Sequence, residues 1–270
     1  MPYSLNDGVR TYYEVAGEGP AFVLIHANPF DHTLFLYQIA RYSTRFKVIA
    51  VDIRGYGRSD PVVDDFGLQA INDDVLGVCA REGISEAIVL GVSIGSTAGL
   101  KLALERPDFV KALIAVGAGY NKSDNAEMRG ERYKTLGLEG YHRTHLEQLV
   151  APDFPKTPLG AYLLGGIRER ALALGWNVTA MARVLASGRD EDLRPRLPGM
   201  KVPTLVVNGA HDNSLPRGKI TASLVPGAVH KVLPGTGHAC CIEDPAAFDK
   251  AVYDFLDAKG LLPPMPAATR

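Results

Sequence analysis

The chain has 270 residues but only three cysteines, Cys79, Cys240 and Cys241, and its apolar runs are all short. None approaches the roughly 18 consecutive apolar residues that a membrane-spanning helix requires. An odd number of cysteines is unusual for a secreted protein that disulfides hold together. The N-terminus also lacks the basic region and apolar stretch of a secretory signal. These absences predict a reduced, cytoplasmic protein with no membrane partner.

Charge of one sign is also lacking, since the formal net charge is −1. Nothing in this balance favours binding to nucleic acid. The sequence contains neither G-x-G-x-x-G after a strand nor the phosphate-binding G-x-x-x-x-G-K, so it predicts no cofactor. His142 and His145 stand three residues apart without a third ligand nearby, which favours solvated side chains and predicts no metal site.

Apolar runs alternate with helix-like segments in the first half of the chain. Buried strands are predicted at 21–25, 46–51, 87–90 and 112–116, with an antiparallel leader strand at 9–14. Helices are predicted at 34–42, 68–81 and 94–105. This β-α rhythm is typical of an α/β fold with a mostly parallel sheet flanked by helices.

The rhythm stops between residues 120 and 201, where no good strand pattern occurs. Helical segments are predicted there at 127–136, 143–150, 159–174 and 178–186, separated by Gly- and Pro-rich breaks. Strands return at 204–207 and 230–233, and a final helix is predicted at 246–259. The expected organisation is a core domain, 1–119 and 202–270, with a helical cap inserted at 120–201.

Between the strand at 87–90 and the helix that follows lies the pentapeptide Gly91-Val92-Ser93-Ile94-Gly95. A serine on such a sharp strand-to-helix turn projects its hydroxyl out of the sheet, and small flanking residues let neighbouring backbone approach. The pattern therefore predicts that Ser93 is a catalytic nucleophile.

A serine hydroxyl needs a base, a group that orients the base, and donors for the oxyanion. His238 and Asp212 each follow a late strand, so both are expected at the carboxyl edge of the sheet beside Ser93. Asp124 or Glu127, which follow the strand at 112–116, remain alternative acids. The backbone N–H groups of Ile94 and Asn28 are the predicted oxyanion donors.

Several segments of this chain resemble the α/β-hydrolase superfamily, and more narrowly its small capped carboxylesterases and enol-lactonases. The matching segments are His26-Ala27-Asn28-Pro29, residues 52–60, the Ser93 turn, Gly209-Ala210-His211-Asp212 and Gly237-His238. The resemblance implies that Ser93 attacks the acyl carbon, His238 moves the proton and Asp212 orients the imidazole. It also implies that His26 packs beneath the oxyanion loop and that residues 52–60 form a structural turn.

Two departures from the superfamily pattern bear on the site. Ala27 stands where the usual His-Gly-x-Pro loop has glycine. An asparagine at position 28 is similar to haloalkane dehalogenases, but those enzymes and the epoxide hydrolases need an aspartate nucleophile, which Ser93 replaces. Asn28, Phe30 and the single tryptophan, Trp176, are the predicted substrate-binding residues. His211 is expected to be exposed or to support the acid, and Cys240 and Cys241 to be small packing residues.

Together these patterns predict a metal-free serine hydrolase that cleaves a small, fairly apolar carboxylic ester or lactone through an acyl-enzyme intermediate. Its partner would be the small-molecule substrate alone, and the sequence leaves the oligomeric state open. Three alternatives remain: a C–C bond hydrolase of vinylogous diketones, a ligand receptor with slow turnover, and a cofactor-free oxygenase. The oxygenase would need the His–Asp pair but not the serine.

Overall fold

A computed structural model describes residues 2–120, 126–187 and 191–265, with only the backbone described at positions 126 and 127. Its centre is an eight-stranded sheet in the order β1-β2-β4-β3-β5-β6-β7-β8. The strands are β1 Tyr3–Asn6, β2 Val9–Ala16, β3 Ala21–Ile25, β4 Lys47–Val51, β5 Ala87–Val92, β6 Val110–Val116, β7 Thr204–Gly209 and β8 Val229–Leu233. Strands β3 to β8 are parallel, and β1 and β2 are antiparallel additions at one edge.

Helices cover both faces of the sheet. They are α1 Leu36–Tyr42, α2 Leu68–Arg81, α3 Ile94–Glu105, α4 Ala126–His145, α5 Pro158–Leu174, α6 Val178–Ala186, α7 Leu215–Leu224, α8 Cys240–Glu243 and α9 Pro245–Ala258. In the part of the chain that is described, none of these helices is both long and apolar enough to cross a bilayer. The predicted α/β fold with a mostly parallel sheet is confirmed.

The central strands form because both of their faces are buried. Along β3, Val23 and Ile25 point into one apolar core, and Phe22 and Leu24 point into a second core on the opposite face. Successive side chains of a strand alternate between faces, so a continuous apolar run is what a two-sided core requires. The parallel strands consequently end together at one edge, where their connecting loops meet.

One strand is absent from the sequence prediction. Strand β1 pairs with β2 through the two-residue turn Asp7-Gly8, and both of these residues have positive φ angles, 47° and 77°. Asp-Gly between alternating segments is the usual signal of a tight hairpin. The turn signal was therefore present in the sequence, but β1 itself has only four residues and is largely polar, so it lacks the pattern of a strand.

Between β6 and β7 the described residues contain helices and 3₁₀ turns but no strand. The predicted helices at 127–136 and 143–150 are wrong in detail: α4 runs to His145 with a break at Gly137, whose φ of 64° and ψ of −177° are not helical. A 3₁₀ turn, Leu146–Leu149, follows α4, and Val150 is extended. The division into a core and a cap at 120–201 stays a prediction.

Residues 52–60 form a turn around one buried carboxylate. Asp52 Oδ1 accepts hydrogen bonds from the backbone N–H and the ring Nδ1 of His32, and its Oδ2 accepts from the Arg58 N–H. The His32 Nε2 lies 3.2 Å from Glu14. Burial alone would lower the pKa of His32, but its bond to Asp52 and the surrounding carboxylates outweigh burial and raise that pKa.

This raised pKa predicts a pH-dependent contribution to stability. A group whose pKa is higher when folded stabilises fully below its unfolded value, about 6.5 for histidine, and loses that effect as pH rises through the folded pKa. The difference in melting temperature between wild type and His32→Gln should therefore be larger at about pH 5.5 than at about pH 9. The control variant is His211→Gln, which alters an exposed histidine. An equal His32→Gln difference at both pH values would contradict the prediction.

Candidate active site

Ser93 occupies a backbone conformation that few side chains adopt. Its φ is 56° and its ψ is −113°, at the turn between β5 and α3. A Cβ at Gly91 would lie 2.2 Å from the Gly95 carbonyl oxygen, and a Cβ at Gly95 would lie 2.2 Å from the Ile25 carbonyl oxygen. Only glycine fits at both flanking positions, so the tight turn depends on them.

Asp212 and His238 are in direct contact, because His238 Nδ1 lies 2.8 Å from Asp212 Oδ1. The carboxylate is buried and accepts three further hydrogen bonds, from Asn208 Nδ2 at 2.9 Å, the Ser214 hydroxyl at 2.8 Å and the Ser214 N–H at 2.7 Å. Burial alone would raise the pKa of Asp212, but the His238 ring and these hydrogen bonds hold it well below its usual range. The acid is thus a fixed negative charge directed at the imidazole.

The supporting roles of Asn208 and Ser214 do not follow from the sequence pattern. Asn208 does end β7, so a polar residue at a strand's carboxyl end was an available signal. Asn208 Oδ1 also lies 3.0 Å from His230 Nε2 on β8, which fixes the orientation of the amide. The Ser214 hydroxyl lies 3.5 Å from His238 Nδ1 as well as bonding the acid.

Ser93 and His238 contact adjacent residues where β6 ends. The Ser93 N–H donates to the Val116 carbonyl at 2.8 Å. The imidazole packs on the adjacent Gly117, where a Cβ would lie 2.5 Å from His238 Cε1. The structure therefore brings all three predicted triad residues to the carboxyl edge of β5, β6 and β7.

The loop that holds His238 is tied to the segment after α4. Glu243, at the end of α8, accepts hydrogen bonds from the Gly237 N–H at 2.8 Å and the Ala151 N–H at 2.7 Å. The Ala239 N–H donates to the Leu149 carbonyl at 2.8 Å. Burial raises the pKa of Glu243, against the effect of these two backbone donors. Sequence reasoning missed both α8 and Glu243, because their role depends on a contact across about 90 residues.

The loop after β3 lies over the Ser93 turn. The carbonyl oxygens of Ile25 and His26 pack so closely on Gly95 that a Cβ at this position would overlap both of them. His26 is fully buried beneath the loop, where its Nε2 accepts the Ile53 N–H at 2.9 Å, and burial lowers its pKa. Ile94 is the first residue of α3, so its N–H has no partner within the helix and remains available to a ligand.

Asn28 is held by hydroxyls from both sides of the site. Its Oδ1 lies 2.5 Å from the hydroxyl of Tyr56, in the turn at 52–60, and 2.5 Å from that of Tyr133, on α4. Trp176, which precedes α6, stands edge-on to the Tyr56 ring at 5.7 Å between centroids. Phe30 is only 1% exposed and packs in the core with Leu34 and Leu149. Its assignment to the substrate pocket stays a prediction.

The expectation that His142 and His145 are solvated is wrong. Both are buried on the inner side of α4, where the His142 ring lies 5.7 Å from Trp176 and the His145 ring 4.8 Å from Tyr141. Burial lowers the pKa of His142, and burial together with the Arg129 charge lowers that of His145 to about 3. Two neutral imidazoles are therefore compatible with an aromatic interior.

Other predicted residues have simpler positions. His211 is exposed, as one of its two expected roles required. Cys240 and Cys241 are fully buried free thiols, and burial raises the pKa of both. Asp124 lies outside the described residues, and only the backbone of Glu127 is described.

Three side chains that could ligate a metal meet within the described part of the chain. The potential ligand atoms of Asp31, His32 and Asp52 lie within 4.8 Å of one another. His32 is paired with Asp52, and Asp31 with Arg170 Nε on α5 at 2.5 Å. These partners already neutralise the charges, so the cluster acts as a buried ion-pair network.

The close packing at the Ser93 turn gives a prediction. Gly95→Ala should lower stability by about 2 kcal/mol or more, because the new methyl group would overlap a backbone carbonyl. The matched control is Gly166→Ala in α5, where a Cβ meets nothing within 4 Å. Urea denaturation of both variants checks the difference. Equal stability of the two would refute the packing argument.

Comparison with known proteins identifies the family to which this fold belongs. The chain is 29% identical to a pimeloyl-[acyl-carrier protein] methyl ester esterase from Yersinia enterocolitica, over 91% of this chain and 97% of that protein. It is 28% identical to the AB hydrolase superfamily protein YisY from Bacillus subtilis, over 92% and 95%. The crystal structure of an enol-lactonase from Burkholderia xenovorans LB400 superposes with a TM-score of 0.88 and 27% identity, covering 95% of this chain and all of that one. Because the model of the alpha/beta hydrolase family also matches residues 22–251, the chain belongs to that family.

Proposed function

We propose that this protein hydrolyses a small carboxylic ester or lactone, with Ser93 as nucleophile, His238 as base and Asp212 as the acid that orients it. Two contacts support this proposal most directly. The buried Asp212 carboxylate bonds the His238 imidazole. That imidazole packs on Gly117, the residue after the one whose carbonyl accepts the Ser93 N–H. A base held in this way can take a proton from the serine hydroxyl.

In the acylation step, Ser93 Oγ attacks the acyl carbon and transfers its proton to His238 Nε2. Asp212 accepts the hydrogen bond of the Nδ1 proton, which selects the tautomer with Nε2 free and stabilises the imidazolium. The oxyanion would receive hydrogen bonds from the N–H groups of Ile94 and Asn28. One such donor typically contributes about 3–4 kcal/mol to the transition state.

Acylation is completed when the bond from the acyl carbon to the alkoxide breaks and the imidazolium gives its proton to that alkoxide; water then enters. His238 removes a proton from that water as it attacks the acyl carbon, and then gives the proton to Ser93 Oγ as the bond between that oxygen and the acyl carbon breaks. With a lactone, the alcohol remains attached to the acyl group and a single hydroxy acid leaves. The lowered pKa of Asp212 keeps its carboxylate ionised throughout this cycle.

The relatives support ester chemistry by their names, since one is a methyl ester esterase and another is an enol-lactonase. We assign residues 120–201 to a cap over the triad, and Asn28, Phe30 and Trp176 to the substrate side of the site. The three free cysteines fit a reducing compartment, and we therefore place the reaction in the cytoplasm.

Substitution of the triad tests the proposal. Ser93→Ala should fold normally and lose hydrolysis of p-nitrophenyl butyrate by about 10³-fold or more, because the covalent route is removed. Full activity of this variant would show that Ser93 is not the nucleophile. Sustained release of p-nitrophenol by the wild type separates an enzyme from a slow-turnover receptor, which would give one burst.

The acid is tested separately. Asp212→Asn should reduce kcat strongly, because the amide cannot provide the charge that stabilises the imidazolium. Asp124→Asn, at the alternative position, should leave kcat near the wild-type value. The reverse pattern would move the acid to Asp124.

A further inference from the structure

Two buried N–H donors beside the active site have no acceptor among the described residues. They are the Nδ2 group of Asn28 and the indole Nε1 of Trp176. Both residues are less than 8% exposed. Buried donors are nearly always paired, since an unpaired one loses its bonds to water without replacement. Donors left in this state are suited to a ligand that accepts hydrogen bonds.

Both donors adjoin the same side chain, Tyr56. The Tyr56 hydroxyl bonds Asn28 Oδ1, and its ring lies against the Trp176 indole. A second hydroxyl, from Tyr133, bonds the same Oδ1. With its oxygen held by two hydroxyls, the Asn28 amide is fixed and its amino group is directed to a different acceptor.

A positive charge lies at this cluster. Arg129 on α4 is half-buried, and its guanidinium donates to the Tyr141 hydroxyl at 3.3 Å and contacts His145 Nε2 at 3.2 Å. His145 is uncharged because its pKa is about 3, and no carboxylate pairs with Arg129 in the part of the chain that is described. Its charge opposes the effect of burial on the pKa of both Tyr56 and Tyr133.

We infer that this cluster of Asn28, Tyr56, Arg129 and Trp176 binds a carboxylate that the substrate bears in addition to its scissile ester. The inference rests on the proposed function and narrows its substrate class to acid-bearing esters or lactones. Arg129 supplies the charge, and the Asn28 and Trp176 N–H groups supply directed hydrogen bonds. Hydrogen bonds between charged groups are the strong ones, and guanidinium suits carboxylate in both charge and shape.

The position of Asn28 limits how far apart the two substrate groups can be. In the proposed reaction its backbone N–H faces the oxygen of the scissile carbonyl, and its side-chain amide belongs to the carboxylate site. One residue would therefore contact both groups, so only a few bonds can separate them. A succinate half-ester has this spacing, and an unbranched fatty acyl ester lacks the second group.

The inference is tested with two esters of matched size, methyl butyrate and monomethyl succinate, in which a methyl group is replaced by a carboxylate. The wild type should show a higher kcat/KM for monomethyl succinate, as measured by acid release in a pH-stat. Arg129→Met should reduce that preference by about 10- to 100-fold, the usual effect of losing a hydrogen bond to a charged group. Arg129→Lys should keep most of it, because the charge is retained.

The matched control is Arg143→Met, which removes an exposed arginine of the same helix that pairs with Glu139. This variant should keep the wild-type preference. A wild type that hydrolyses methyl butyrate as well as monomethyl succinate, with the same ratio in Arg129→Met, would overturn the inference and leave the esterase intact.

A binding measurement separates the inference from the proposed function. Trp176 is the single tryptophan of the chain, so its fluorescence reports on this cluster directly. Titration with succinate should give a saturable change in wild type and in Ser93→Ala, and a weaker response in Arg129→Met. If neither ester is hydrolysed but succinate binds in this Arg129-dependent way, the carboxylate site stands and the proposed hydrolysis fails. If succinate causes no Arg129-dependent change, the site itself is refuted.

Discussion

The candidate active site depends on one strained residue, Ser93, whose backbone has a positive φ at the end of β5. A non-glycine residue in this region costs of order 1–3 kcal/mol and persists only when its surroundings fix it. Here the surroundings are a helix that begins at the next residue, a carbonyl of β6 that accepts the Ser93 N–H, and backbone packed against two glycines. The same turn directs the start of α3 toward the loop after β3, so the proposed nucleophile and the proposed oxyanion donors are positioned together.

The parts of the fold that could be predicted from sequence are those with strong local periodicity. Strand β3 and helices α2 and α6 have the predicted bounds. The spacing of apolar residues in these segments matches the faces that they bury, so the sequence of each segment alone indicates its structure. Ser93, Asp212 and His238 could be selected because each follows a strand, and parallel strands end at one edge. Their roles in catalysis remain proposals.

The surroundings of a side chain could not be predicted from the sequence where distant segments of the chain provide them. His142 and His145 look solvated in the sequence, but the break at Gly137 and the packing of α4 bury them against aromatic rings. Asn208 and Ser214 look like ordinary polar residues in the sequence, and only the structure shows that both donate hydrogen bonds to Asp212. Arg129 has the same local appearance as Arg143, and the two differ only in where the fold places them: Arg129 is half-buried against Tyr141 and His145, and Arg143 is exposed and pairs with Glu139.

Glu243 bridges two pieces of backbone that perform different tasks, the N–H groups of Gly237 and Ala151. If the segment at 149–151 swings outward, it must either break this bridge or draw the proposed base, His238, with it. Opening at that point and readiness for reaction would then be mutually exclusive. A bound molecule that presses the segment inward would in the same movement press on the His238 loop, so the positions of the segment and of the proposed base are coupled through this carboxylate and the Ala239–Leu149 hydrogen bond.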